Sequence, residues 1–271
     1  MVQDTLGNRM KHYEKMETAR QFMPKVPVYA RIDGRSFSQF TKGMERPYDI
    51  DMTNAMIETT KALVRETNAL IGYTQSDEIS LVWFQDDYKS SIFFDGKIQK
   101  MVSQLSAIAS VYFMREAMKY WPEKVVHKMP TFDARVFMLP NKEEATNAFV
   151  WREKDATKNS ISMAAQHYYS HKELHGKNSS QKMDMLMEKG VNWNDYPVFF
   201  KRGVYVRNQS RTVTLDEAHL NDIPEKHRPT DNKVVRSFVE SIDMPPITKV
   251  SNREDVIFHK QIPICYEQEP L

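Results

Sequence analysis

The sequence predicts an α+β fold: a split βαβ arrangement whose antiparallel sheet carries helices on one side, followed by a helical C-terminal extension. Three observations lead to this class. Strand-like runs recur before residue 140, stretches with helical spacing separate them, and beyond Pro140 the chain turns polar and helix-prone.

Val26, Val28, Ala30 and Ile32 alternate with Tyr29, Arg31 and Asp33, a period-two strand that sets Arg31 and Asp33 on one face. From Asp51 to Leu70, Met52, Met56, Leu63 and Leu70 fall at helical spacings, leaving Lys61, Arg65 and Glu66 for water. In "IGYTQSDEISLVWF", β-rich residues 71–74 and 79–84 flank a polar "QSDE", which reads as a hairpin with its carboxylates at the tip. Met101, Leu105, Ile108 and Tyr112 mark a second helix ending near Trp121. "MPTFDARVFML" then returns as a strand burying Phe132, Ala134, Val136 and Met138. Further helices are predicted at residues 143–151, 160–174 and 180–188. A tail of low hydrophobicity follows from Thr212, punctuated by Pro224, Pro229, Pro245 and Pro246. The expected division is a catalytic domain of residues 1–139 and a helical, basic extension with a tail, residues 140–271. No internal repeat is present.

The 271 residues are 41% hydrophobic, enough for a real core and against disorder. The single Cys265 excludes a disulfide framework and a cysteine-based zinc site, and suits a reducing cytoplasm. "MVQDTLGNRMKHYEK" is too polar for a signal peptide, and no apolar run approaches the roughly 20 residues that span a bilayer. A soluble, cytoplasmic protein without a membrane partner is expected. Net charge is only +2, but residues 151–211 hold eleven Lys or Arg against six Asp or Glu, a local excess that suits a phosphate-rich partner.

Read alone, Asp33-Gly34 is a turn, since both residues tolerate a tight reversal. The predicted topology gives it a neighbour. In a split βαβ sheet the end of the first strand lies beside the tip of the hairpin, so Asp33 meets Asp77 and Glu78. Clustered carboxylates repel, and hard divalent cations with oxygen ligands, such as Mg²⁺, would offset the repulsion. A metal pair of this kind serves phosphoryl transfer. Gly34, lacking a Cβ, would let its backbone approach a metal or a phosphate. No GxxxxGK[ST] or GxGxxG loop occurs, so no glycine-rich cradle holds a nucleotide here. Lys97 and Lys100 open the second helix, against its dipole, where they would suit a triphosphate. Arg135 reads either as a phosphate contact or as half of an ion pair with Asp133. His167, His171 and His175 recur at i, i+4 and i+8 on a predicted helix. No HExxH-type carboxylate accompanies them, which favours RNA contact or plain exposure over a metal site.

"RIDGRSF", "RPYD", "SDEISLVW" and "FDARV" resemble, in order, the motifs of the tRNA(His) guanylyltransferase superfamily, enzymes that add nucleotides in the 3′–5′ direction. "DTLGNRMKHYE", "DATKNSISM", "NWNDYPVFFKRG" and the tail "DMPPITKVSNREDVIF" are similar to the guanylyltransferase-like branch of bacteria, archaea and phages. The resemblance runs from Asp4 to about Gly203. It implies a polymerase- or cyclase-like palm with two Mg²⁺ per site. It also implies ATP or GTP as activating and substrate nucleotides, tRNA as partner, and a homotetramer. Carried over by motif, the catalytic carboxylates are Asp33, Asp77 and Glu78, and the metal ligands are Asp33, the Gly34 carbonyl and Asp77. Nucleotide contacts fall on Gly34, Arg35, Ser36, Phe37, Ser38, Ser76, Lys97 and Lys100. Arg31, Arg46, Arg135, Lys158, Asn159, Lys201 and Arg202 would meet the RNA or its 5′ end.

One departure shapes the expected activity. Eukaryotic members carry a motif beginning His-Ile-Asn-Asn where this chain reads Thr157-Lys158-Asn159-Ser160. The resemblance then favours templated 3′–5′ addition to 5′-truncated tRNA over tRNA(His)-specific guanylate addition. A nucleotide cyclase would use the same metals but need no basic segment after Trp151. A non-catalytic RNA-binding protein would have no use for clustered acids.

Overall fold

The computed structural model describes residues 5–216, 220, 222–229 and 231–266; Asp4, the first residue of the N-terminal motif, lies outside them. Among the described residues six strands form one antiparallel sheet: β1 Val28–Gly34, β2 Ile71–Gln75, β3 Glu78–Trp83, β4 Phe132–Met138, β5 Val204–Thr214 and β6 Lys233–Ile242. Their order is β4-β1-β3-β2-β5-β6, with β3 inserted between β1 and β2 as the split βαβ pattern requires. The helices are α1 Leu6–Thr18, α2 Phe37–Phe40, α3 Ile50–Thr67, α4 Ile98–Ala117 and α5 Pro122–Lys128. They continue with α6 Lys142–Tyr168, α7 His171–Leu174, α8 Ser179–Glu188, α9 Val198–Arg202 and α10 Arg253–Phe258.

The alternation in β1 divides the sheet's two faces. Val28, Ala30 and Ile32 join Ile79, Leu81 and Phe132 in a core covered by Met56 and Leu63 of α3 and by Met101, Leu105 and Phe113 of α4. Asp49 starts α3 by accepting the backbone N–H groups of Asp51 and Met52, both at 3.0 Å, so the acid of "RPYD" is an N-cap. The stripe of α4 runs through Met101, Leu105, Ala109 and Phe113, while Ile108 and Tyr112 are only half-buried. Met138, expected inside, is exposed at the end of β4.

The opposite face is also covered, which corrects the expectation of helices on one side. Tyr29, Tyr73, Val82 and Tyr205 pack under Ala145, Phe149 and Ala156 of α6 and Val256 and Ile257 of α10. The helix is continuous where two were expected, because Arg152 and Glu153, polar interruptions of its apolar stripe, are both buried and partnered. At the end of α6, Ala164 and Ala165 join Leu174, Leu186 and Phe200 in a small third core with α7, α8 and α9.

Nor does the sheet stop at residue 139. β5 pairs with β2 over Gly72↔Val206, Tyr73↔Tyr205 and Thr74↔Val204, and β6 completes the edge inside the segment expected to be a tail. Gly203 enables the entry to β5. Its φ is +78°, and a Cβ there would stand 2.5 Å from the Thr74 carbonyl oxygen.

Candidate active site

β1 ends beside the β2–β3 turn. In register, Asp33 faces Glu78 of β3 on one side and Asp133 of β4 on the other. The carboxylates of Glu78, Asp33 and Asp133 thus form a row across three strands. One pleat behind lies a second row, Ser80, Arg31 and Arg135. Asp77 sits in the two-residue turn after Ser76, whose φ of +53° is an unusual backbone state for a non-glycine residue. The Gly34 N–H donates to the Asp77 carbonyl at 3.1 Å, pinning the turn to the strand end, and the Ser76 hydroxyl donates to the Asp77 carboxylate at 3.1 Å.

Electrostatics at this corner are unbalanced. Burial, then the charges of Glu78 and Asp133, push the Asp33 carboxyl above its usual range, against the pull of Arg135 and Arg31. Asp77 is pushed up to about 6, mainly by burial and further by Asp33 and Glu78. Both acids therefore hold negative charge at a cost that a cation would remove. Glu78 differs. Arg31 lies 3.5 Å from its carboxylate and the Arg152 guanidinium, from α6, closes on it as well. Arg152 also holds Asp155 at 2.8 Å.

Among the described residues no group of three or more His, Cys, Asp or Glu side chains converges closely enough to hold a metal alone. The donor set at the strand end is Asp33 and Asp77, neither of which forms an ion pair among the described residues, with Glu78 turned to arginines. All-oxygen and under-ligated, it fits Mg²⁺, which takes one or two carboxylates and fills its shell with water and substrate phosphate.

Gly34 has a steric role inside the fold. A Cβ on it would lie 2.3 Å from the Phe37 ring, which packs 5.1 Å from Phe113 and 4.9 Å from Phe132, centroid to centroid. Phe37 is accordingly a core residue, whereas Arg35 and Ser36 before α2 and Ser38 within it stay exposed. Arg46 lines a cavity of about 100 Å³ with Tyr48, Met52, Gln75, Ser76 and Phe200, adjoining the turn that carries Asp77.

Other carried-over residues lie apart. Lys97 and Lys100 are at the far end of the sheet: Gly96 accepts from Phe22 N–H at 3.0 Å, in the segment leading into β1, and Val28 pairs with Trp83 there. By strand rise that is roughly 20 Å from Asp33. Lys97 pairs with Asp95 at 3.7 Å, and the Lys100 amine lies 5.5 Å from the Phe94 ring. Arg135 is paired with Asp133 at 3.5 Å, yet both remain exposed. Lys158 and Asn159 are exposed on α6. Lys201 donates to the Asn194 carbonyl. Arg202 is turned inward, 3.3 Å from the Met244 carbonyl and 3.8 Å from the buried Glu153, which leaves its charge engaged within the fold. His167 ends α6, whereas His171 and His175 belong to the next short helix and its end, so the three share no helix face.

Trp151, Arg152 and Asp155 escaped the sequence reading as site residues. A signal existed: Ala145, Phe149, Arg152 and Ala156 form one helical stripe, and an arginine there requires a buried acid. The acid, Glu78, is 74 residues away.

The family model for tRNAHis guanylyltransferase matches residues 7–140. A solved bacterial tRNA(His) guanylyltransferase-like protein in complex with ATP superposes with a TM-score of 0.77 at 33% identity, over 94% of this chain and 100% of that one. A second such structure, in complex with GTP, gives 0.70 at 30% identity over 93% and 97%. The tRNA(His) guanylyltransferase of Schizosaccharomyces pombe is 27% identical over 218 residues, 73% of this chain and 78% of that protein. Among the described residues no helix is long and apolar enough to cross a membrane.

Proposed function

Because the chain belongs to the tRNAHis guanylyltransferase family of nucleotidyltransferases, we propose that it carries out templated 3′–5′ addition of nucleotides to the 5′ end of truncated tRNA. The observation that carries this reading is the junction of Asp33 and Asp77, two acids brought together at a strand end and a turn, with Arg31 and Arg135 one pleat behind. The solved relatives hold ATP and GTP, so nucleoside triphosphates are the substrates and activators proposed here.

Two Mg²⁺, held by Asp33, Asp77 and the Gly34 carbonyl, would supply Lewis-acid activation of the attacking oxygen and stabilise the leaving one. Glu78 fixes Arg31 beside the acids, where its guanidinium and that of Arg135 can take phosphate oxygens. In the first proposed step the 5′-monophosphate attacks the α-phosphorus of a triphosphate and pyrophosphate leaves. In the second, the 3′-hydroxyl of the incoming nucleotide attacks the activated 5′ phosphorus and a nucleoside monophosphate leaves. Lys158 and Asn159, exposed on α6, are the proposed backbone contacts, and α6 to α9 the proposed tRNA-binding part.

The preference for templated addition is supported by Thr157. Its hydroxyl donates back to the Glu153 carbonyl at 3.0 Å, so this position offers no imidazole and no free donor to read one base. The residues proposed around the acids contact phosphate, sugar and metal, common to all four nucleotides, which leaves selection to pairing with the opposing strand. The test uses truncated, 5′-phosphorylated tRNAs differing only at the opposing 3′-strand base, with Mg²⁺ and each triphosphate. Each RNA should receive the complementary nucleotide. Guanylate added whatever the opposing base would replace this reading with a dedicated guanylyltransferase.

A further inference from the structure

Of the four tryptophans, Trp83 is buried and Trp121 and Trp193 pack against cores, whereas Trp151 is 46% exposed. An open indole on a soluble surface is unusual, and this one is held. The guanidinium carbons of Arg31 and Arg152 lie 5.0 and 4.7 Å from its ring centroid. Both arginines are themselves fixed on Glu78, which stands opposite Asp33. The ring is therefore pre-positioned at the edge of the acid row.

Lys154 and Lys158 follow at i+3 and i+7, both exposed, on the same side of α6 as Trp151. They stand roughly 5 and 10 Å further along the helix axis. An aromatic surface followed by cations at one and two turns matches a nucleic-acid strand that stacks its last base and lays its phosphates along the helix.

The geometry points to Trp151 as the stacking platform for the terminal base of the RNA's 5′ end, with Lys154 and Lys158 on the phosphates behind it. This rests on the proposal that RNA is the substrate, and names the part of it that α6 holds.

The test compares the parent with Trp151→Ala and Trp151→Phe. Trp151→Ala should raise KM for truncated tRNA roughly 5- to 160-fold, the range for losing one base–aromatic stack. kcat and KM for the triphosphate should stay near parent values, and Trp151→Phe should stay near the parent throughout. Independently of catalysis, a short 5′-phosphorylated RNA duplex should quench the Trp151 fluorescence, obtained as parent minus Trp151→Phe, and ATP alone should not. An unchanged KM in Trp151→Ala, equal impairment of both variants, or quenching by ATP alone would overturn the assignment. Quenching by RNA in a protein that adds no nucleotide would leave the stacking assignment standing and remove the proposed activity instead.

Discussion

Arg152 and Glu78 are joined across the sheet: a guanidinium buried on α6 closes on the carboxylate that faces Asp33. The pair fastens the helix to the corner of the sheet where the acids collect. Removing Arg152 leaves Asp155 without its cation and Glu78 with only Arg31, 3.5 Å away, in a partly buried setting. Arg152→Met should cost about 2–3 kcal/mol, less than a fully buried pair because Glu78 keeps some contact with water. In a double-mutant cycle by urea unfolding, adding Glu78→Gln should recover part of that loss. Strict additivity of the two single effects would show that the contact is not an energetic link.

Asp77→Asn should abolish nucleotide addition while stabilising the fold. A raised carboxyl pKa means the charged form is disfavoured in the folded state. Its contribution is fully present below the unfolded pKa and is lost as pH rises through about 6. The variant's advantage, at most about 3 kcal/mol, should therefore build up between about pH 4 and 6, be full above that and vanish below pH 4 or so. Adding Mg²⁺ should raise the Tm of the parent and leave the variant's unchanged. Equal Mg²⁺ responses would remove Asp77 from the metal set.

Arg202 and Lys158, both expected on sequence grounds to meet RNA, should separate cleanly. Arg202→Ala removes a cation facing buried Glu153 and should lower Tm without altering the salt dependence of RNA binding. Lys158→Ala should leave Tm alone and flatten the slope of log affinity against log salt by about 1. A flattened slope for Arg202→Ala, with Tm intact, would mean that its side chain leaves Glu153 to reach the RNA.

Gly34→Ala should destabilise by about 2 kcal/mol, because the added methyl meets the immobilised Phe37 ring. Phe37→Leu in the same chain should return part of the loss, measured by thermal unfolding. A Gly34→Ala protein as stable as the parent would show that the ring yields, and that glycine answers to something outside the fold.

The sequence by itself determined the elements whose burial repeats at a regular period. The alternation around Arg31 and Asp33, the "QSDE" turn and the stripe of α3 were legible because each follows from neighbours a few residues apart. From those elements the adjacency of Asp33 to Asp77 and Glu78 also followed. Only the tertiary structure decided the rest. β6 is a half-exposed edge strand that gains its order from backbone pairing with β5, so composition made it look like tail. α6 runs unbroken through Arg152 because the acid that makes a buried guanidinium tolerable comes from another strand. Lys97 and Lys100, near the acids in motif order, are carried away from them because β3 leads the chain to the opposite end of the sheet before α4 begins. In each case the deciding partner is distant in sequence, and a local pattern records that a polar group is present but not which charge or strand satisfies it.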